Sequence, residues 1–524
     1  MKTTFTVCFF LLSTLIWAQS GKKYAETITQ DDLKKHLSIL ASDEYEGRET
    51  GMLGQKKAAE YIQNHFKSLE LEGIVEGSGS PYFQEFVLEK AAYSTLVIKG
   101  KKGSNMELLK DFFSIQGLLT EKVKGEFVFA GYGLDEENYS DYKKGADVKG
   151  KIAVMIMGEP KDKDDNYIIS GSDQKSSASS PQEKAAKALE KGAIGAIVLY
   201  DDDETLQGVL KSYASYFSAP KLGFPTEKGG EFIFLSSQKR VAPLFAKNQE
   251  AFDNAVEAIK EDAMKFKAYG ISSKVKLMPK ASIQEVTSEN VLGFMEGTDL
   301  KDEVVVITAH YDHIGISENG DINNGADDDG SGTTGVLEIA EAFSKAKAAG
   351  NGPRRSILFM TVSGEEKGLL GSEYYSDNPI IPLEKTVTDL NIDMIGRVDP
   401  KHEDEENPNY IYIIGSNMLS DKLHALSERV AADYGEVELD YRYNDKDDPN
   451  RFYYRSDHYN FAKHNIPVIF YFNGTHEDYH KPTDEVDKIH FPKMEKVTRL
   501  IFLTAWEIAN QDERITADKL EEGK

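Results

Sequence analysis

Cysteine is almost missing from this chain of 524 residues: the single one, Cys8, falls inside the opening segment MKTTFTVCFFLLSTLIWAQS. Disulfides therefore cannot be the scaffold, and the fold must be held chiefly by its core. Cys8 is also too early to serve as a lipid-attachment cysteine before a cleavage point. Long apolar runs are equally scarce. Phe5 to Trp17 follows Lys2 and precedes the small Ala18, the pattern of a secretory signal peptide over residues 1–18. That run is too short and too early to span a membrane, and no later stretch qualifies. Positive charge is in deficit, with 62 Lys and Arg against 88 Asp and Glu and a formal charge of −26. No basic face for nucleic acid is evident, and internal repeats are not evident either.

What is present has the texture of an ordinary globular protein, with 40% hydrophobic and 29% charged residues. The length allows two or three domains. Residues 29–73 predict two helices: Leu33, Leu37 and Leu40 follow the polar start TQDD, and Ala58, Ile62, Phe66 and Leu69 repeat the spacing. From 120 to 270, glycine-rich turns separate EFVFAGYG, KIAVMIMGEP and AIGAIVLYD, which reads as a β-rich domain inserted into another. After 285, the short apolar runs VVVITAH, SILFMTVSG, TVTDLNIDM, YIYIIG and IPVIFYF alternate with helical stretches. This is the signature of a mixed, mainly parallel sheet buried on both faces and flanked by helices. The expected division is a leader (1–18), a first part of the main domain (19–119), the insert (120–270), the rest of the main domain (271–512) and a polar tail (513–524).

Ligands of open α/β sheets bind beyond the carboxyl ends of the strands, and those ends carry one kind of chemistry here. VVVITA runs into His310, Tyr311, Asp312 and His313; SILFMTVSG runs into Glu365 and Glu366; TVTDLNI runs into Asp393. IPVIFYFN is followed by a loop with Tyr479 and His480, and GADDDGSG opens a helix between the first two. Imidazoles and carboxylates suit zinc and similar first-row cations. A His-x-Asp pair can supply a ligand and the carboxylate that fixes its tautomer. Two adjacent glutamates repel each other unless cations intervene. Beside a dinuclear site, one can ligate while its neighbour stays free as a base for water.

The motifs HYDHIG, NGADDDGSG, SGEEKGLLGSEYY, NIDMIGR and EDYHKPTDEVDKI, in this order, resemble the M28 family of zinc aminopeptidases. LASDEYEGRETG and the insert resemble members carrying a protease-associated (PA) domain. The resemblance implies an exported exopeptidase, secreted or periplasmic, that acts on peptides with two zinc ions. His310 and Asp393 would hold one ion, Glu366 and His480 the other, and Asp328 would bridge them through a turn with a cis Asp328–Asp329 peptide bond. Asp312 would orient His310, Glu365 would be the general base, and Tyr479 would steady the oxyanion. A shared ion would clamp the loop 473–487 to the sheet.

Other readings of the same residues remain open at this stage. The ligand set does not say which end of a peptide is read, so a carboxypeptidase or dipeptidase of the same superfamily is the nearest rival. A non-catalytic, receptor-like protein of the same fold is the reading from another class. Asp327, Asp329, Ser331, Gly332 and Glu338 also fit the spacing of a calcium loop on paper, although no amphipathic helix precedes them. His313 and His458 are expected in the cleft lining or at the surface.

Overall fold

The computed structural model describes residues 21–117, 119–225, 231–405 and 408–520. The leader call at 1–18 and the last residues of the tail lie outside the described residues. The chain divides into two compact units, Met1–Val87 with Val286–Lys524, and Leu88–Glu285. No helix among the described residues is long and apolar enough to cross a membrane.

The second unit is wider at both ends than the 120–270 expected, so the return to the first unit comes at Val286 and not at 271. Two long strands cause this. Phe83–Lys99 pairs with Asn105–Glu107 and Lys221–Gly223, so most of it belongs to the insert. Ser272–Met295 pairs through Ser272–Leu277 with Val123–Phe129, and through Val291–Met295 with Arg355–Val362. Its middle is largely exposed and carries no apolar signal that would mark a boundary.

In the first unit the sheet order is Glu438–Asp440, Tyr410–Ile414, Val468–Phe472, Thr386–Ile392, Leu300–His310, Arg355–Val362 and Ser272–Met295. The four central strands, from Val468–Phe472 to Arg355–Val362, are mutually parallel, with Tyr410–Ile414 and Ser272–Met295 antiparallel on either side. All five apolar runs after 285 are strands. Arg355–Val362 is buried at every position. Val305, Ile307 and Ala309 enter one apolar cluster, while Val304 and Val306 enter another, as a strand covered on both faces requires.

Helices cover those faces. Gln30–Leu40 begins at Thr29, whose hydroxyl oxygen accepts from the Asp32 N–H, and buries Leu33, Leu37 and Leu40 as its spacing predicts. The helix Phe491–Asn510 was not legible in the sequence. Its stretch LIFLTAW is buried throughout.

In the second unit, Val123–Phe129, Ile152–Ile156, Gly195–Tyr200 and Ile233–Ser237 run parallel, with Phe112–Gln116 antiparallel beside the last. Pro181–Glu190 forms a helix capped by Ser180.

Candidate metal centre

Parallel strands end on the same edge, and the register places these ends level with one another. His310 sits opposite Val362, Thr308 opposite Asn391, and Asn391 opposite Phe470. The residues that follow each strand therefore meet. His310 Nε2 lies 3.3 Å from Asp328 Oδ1, 3.7 Å from Asp393 Oδ1 and 3.9 Å from Glu365 Oε2. His480 Nε2 lies 3.1 Å from both Asp328 Oδ2 and Glu366 Oε2. Asp328 thus presents one oxygen to each of two imidazoles.

The turn that carries Asp328 explains why the middle aspartate faces the cleft. Asp327 Oδ1 accepts from the Gly396 N–H at 2.6 Å, and its Oδ2 accepts from the Asn473 amide at 3.1 Å. Asp329 Oδ1 accepts from the Gly332 and Met394 N–H groups at 2.8 and 3.0 Å, and its Oδ2 from the His310 N–H at 3.2 Å. These two carboxylates are consumed in tying strand ends and helix start together. The peptide bond between Asp328 and Asp329 is cis. From below, the buried Arg48 guanidinium donates to the carbonyls of Tyr311, Asn324 and Gly325 at 2.7 to 2.9 Å.

The two adjacent glutamates are driven in opposite directions. Burial pushes the Glu365 carboxyl well above its ordinary range; His310 opposes this, and the Glu366 and Asp393 carboxylates add to it. Glu366 is buried too, but bonds from His313 and His480 hold it at about 2. His313 Nδ1 lies 2.7 Å from Glu366 Oε1, and His313 is fully buried, not a surface histidine. Burial alone would lower His310, yet the facing carboxylates hold it well above the usual imidazole range.

Asp312 stands where expected, but its contact differs from the expectation. His310 Nδ1 is 3.1 Å from the Asp312 main-chain carbonyl and 3.8 Å from its carboxylate. That carboxylate accepts instead from the Thr50 hydroxyl at 2.7 Å and the Glu365 N–H at 3.2 Å. It steadies the segment holding Glu365 as much as the His310 ring. Asp393 Oδ2 accepts from the Ser456 hydroxyl at 2.7 Å, leaving Oδ1 toward His310. Tyr479 stacks on the His480 ring, with centroids 3.9 Å apart, and its hydroxyl is 3.4 Å from Arg455 Nη2.

Donor chemistry and orphaned atoms both fit cations here. His310, Glu365 and Asp393 form one group with donor atoms within 4.8 Å, and His313, Asp328 and Glu366 form another. Asp328 Oδ2 makes no hydrogen bond among the described residues although His480 Nε2 is 3.1 Å away. Buried imidazole and carboxylate atoms this close suit a common cation. The calcium-loop reading fails on geometry, because Glu338 faces His36 Nε2 at 3.5 Å and Asp327 and Asp329 are already spent. Sequence reasoning missed Arg48, Thr50, Ser456 and Arg455, and gave His313 no partner. Each acts on a residue far away in sequence.

A mainly parallel sheet with this donor edge defines a metallopeptidase. Residues 290–505 match the profile of Peptidase family M28. Aminopeptidase YwaD of Bacillus subtilis (strain 168) is 23% identical over 533 residues, covering 98% of this chain and 95% of its own. Leucine aminopeptidase 2 of Trichophyton equinum is 26% identical over 472 residues, covering 87% of this chain and 77% of its own. The solved structure of the aminopeptidase from Aneurinibacillus sp. strain AM-1 shares the fold, with a TM-score of 0.54, 19% identity and coverage of 96% and 99%.

Proposed function

We propose that the protein is an exported dinuclear zinc aminopeptidase that removes N-terminal residues from peptides. The observation that carries this reading is Asp328, whose two oxygens face His310 and His480 separately. His310 and Asp393 would hold one ion, Glu366 and His480 the other, with Asp328 shared between them. When bound, the pair supplies a Lewis acid for the scissile carbonyl and lowers the pKa of water.

The chain's own residues do the rest. Glu365, raised by burial, accepts a proton from the attacking water and returns it to the departing amine. Its backbone is held by Asp312 and its carboxylate faces the His310 side of the site. Glu366, held ionised at about 2, is suited to ligation and unsuited to carrying a proton. The Tyr479 hydroxyl, placed by Arg455, donates to the oxyanion. Specificity for the amino end is supported by the relatives, which are aminopeptidases. Leu88–Glu285 is assigned as the PA-type insert.

The test is zinc content together with hydrolysis of aminoacyl and N-blocked chromogenic substrates. Bound zinc with cleavage of the free-amine substrates alone supports the reading. Cleavage of N-blocked peptides at the carboxyl end would move the protein to the carboxypeptidase class, and a metal-free, inert protein would make it a receptor.

A further inference from the structure

A second cluster of imidazoles and carboxylates lies on helix faces, away from the strand ends. His36 is on Gln30–Leu40, His65 on Leu53–Ser68, and Glu338 and Glu341 on Gly332–Ala348. One donor atom from each of His36, His65 and Glu341 falls within 4.8 Å of the others. The two imidazoles meet edge to face, with ring centroids 4.6 Å apart.

The hydrogen bonding leaves this cluster incomplete. His36 Nδ1 is 2.7 Å from the Tyr61 hydroxyl, which fixes the ring and turns Nε2 toward Glu338 Oε1 at 3.5 Å. Glu338 is 1% exposed. Neither its Oε1 nor His65 Nε2 has a hydrogen-bond partner among the described residues. Glu341 accepts from Lys345 through Oε1 at 2.7 Å, and its side chain is only partly buried. Glu338 and Glu341 are three residues apart, so both project from one face of their helix.

Apolar packing does not ask for two histidines and two glutamates at a three-helix junction. The orphaned atoms sit on two different residues, Glu338 and His65. A tetrahedral cation with nitrogen and carboxylate ligands satisfies both at once, with Tyr61 in the outer position that fixes a metal-bound imidazole. Drawing the donors to ligand distance needs a small closure, which the partly exposed Glu341 can supply.

We propose that His36, His65 and Glu341, with Glu338 as fourth donor, form a structural site for a zinc-class divalent cation. It would tie the two N-terminal helices to the helix that begins at the Asp328 turn, so its occupancy would brace the base of the metal centre. The proposal does not rest on the peptidase reading, since none of its donors belongs to that site.

The probe is zinc, added to the full-length chain and followed by desalting and counting of zinc per chain. His65→Phe keeps the ring and removes its donor nitrogens; Glu341→Gln changes a partly exposed side chain. Each variant is expected to bind one zinc fewer than the parent, to lose part of the rise in melting temperature on zinc addition, and to keep its peptidase activity. Should His65→Phe not fold, Glu341→Gln decides alone, read with zinc just above the parent's stoichiometry. Equal zinc content and an equal zinc-dependent rise in melting temperature in parent and folded variants would overturn the proposal.

Discussion

The two units bury charge in different ways. In Leu88–Glu285, Lys184 donates to the carbonyls of Tyr132 and Ile156 at 2.7 and 3.2 Å and also to that of Gly158. Asp141 accepts from the hydroxyls of Tyr139 and Tyr269, each at 2.8 Å, and from the Leu134 N–H at 3.0 Å. Among the described residues, the one buried side-chain atom of this unit without a hydrogen-bond partner is Thr120 Oγ1. The peptidase unit holds all the others, including Asp328 Oδ2, His313 Nε2, His476 Nε2 and Asp484 Oδ1. Buried charge alone therefore does not mark a functional site. Closed networks such as those of Lys184 and Asp141 hold a core together, whereas facing imidazoles and carboxylates such as His310, Asp328 and His480 have the chemistry of cation ligands.

The sharpest way to test that contrast is Glu365→Gln. It should keep the bound metal while turnover falls roughly 10²- to 10⁴-fold, the usual loss of a general base. Glu366→Gln should lower metal occupancy instead. Equal metal loss in both variants would show that the opposite environments of the two glutamates do not separate their roles. Tyr479→Phe should lower kcat by about 10²-fold with little change in KM, as loss of one oxyanion donor does. An unchanged kcat would leave Tyr479 as a stacking partner of His480.

Chelation probes the open cluster from the other side. A cation bound to the folded state alone adds about 2.7 kcal/mol at a hundredfold excess over its dissociation constant, so removing it should lower the melting temperature. The loop response should be narrower than the 473–487 expected from sequence. Asp478 is anchored by Arg397 and Lys488 at 2.8 and 2.7 Å, and Asp484 accepts from the N–H groups of Asp327 and Asp328 at 2.9 and 3.2 Å. These anchors need no metal. Faster hydrogen exchange should be confined to the neighbourhood of Tyr479 and His480, and opening of the whole loop would mean the anchors are weak.

The smallest effect on catalysis is expected in the closed network. Lys184→Met strands the buried carbonyls of Tyr132 and Ile156 and should cost the insert about 1 to 3 kcal/mol. Peptidase turnover below the unfolding transition should not change. A fall in kcat at full foldedness would show that the insert contributes to the reaction.

Much of the site was legible because of how parallel sheets are written. Strands buried on both faces read as unbroken apolar runs, so His310, Glu365, Glu366 and Asp393 stand out as titratable residues at their ends. His480 needed the motif EDYHKPTDEV, since its loop carries no such signal. His313 was placed only as cleft lining or surface, because a histidine beyond a strand end looks the same whether it turns outward or inward. Here its Nδ1 binds Glu366, which lies 53 positions later in the chain. The unit boundaries were illegible for a related reason. Ser272–Met295 is one strand whose halves pair in different units, and composition does not change where the pairing does.

The central claim is that Asp328 joins two cations. Zinc-edge anomalous diffraction from zinc-loaded crystals tests it directly. The account predicts two peaks, each at ligand distance from a different oxygen of Asp328, one flanked by His310 and Asp393 and the other by Glu366 and His480. A single peak at this edge, or a second peak held by His313 with His480 turned away, would contradict it.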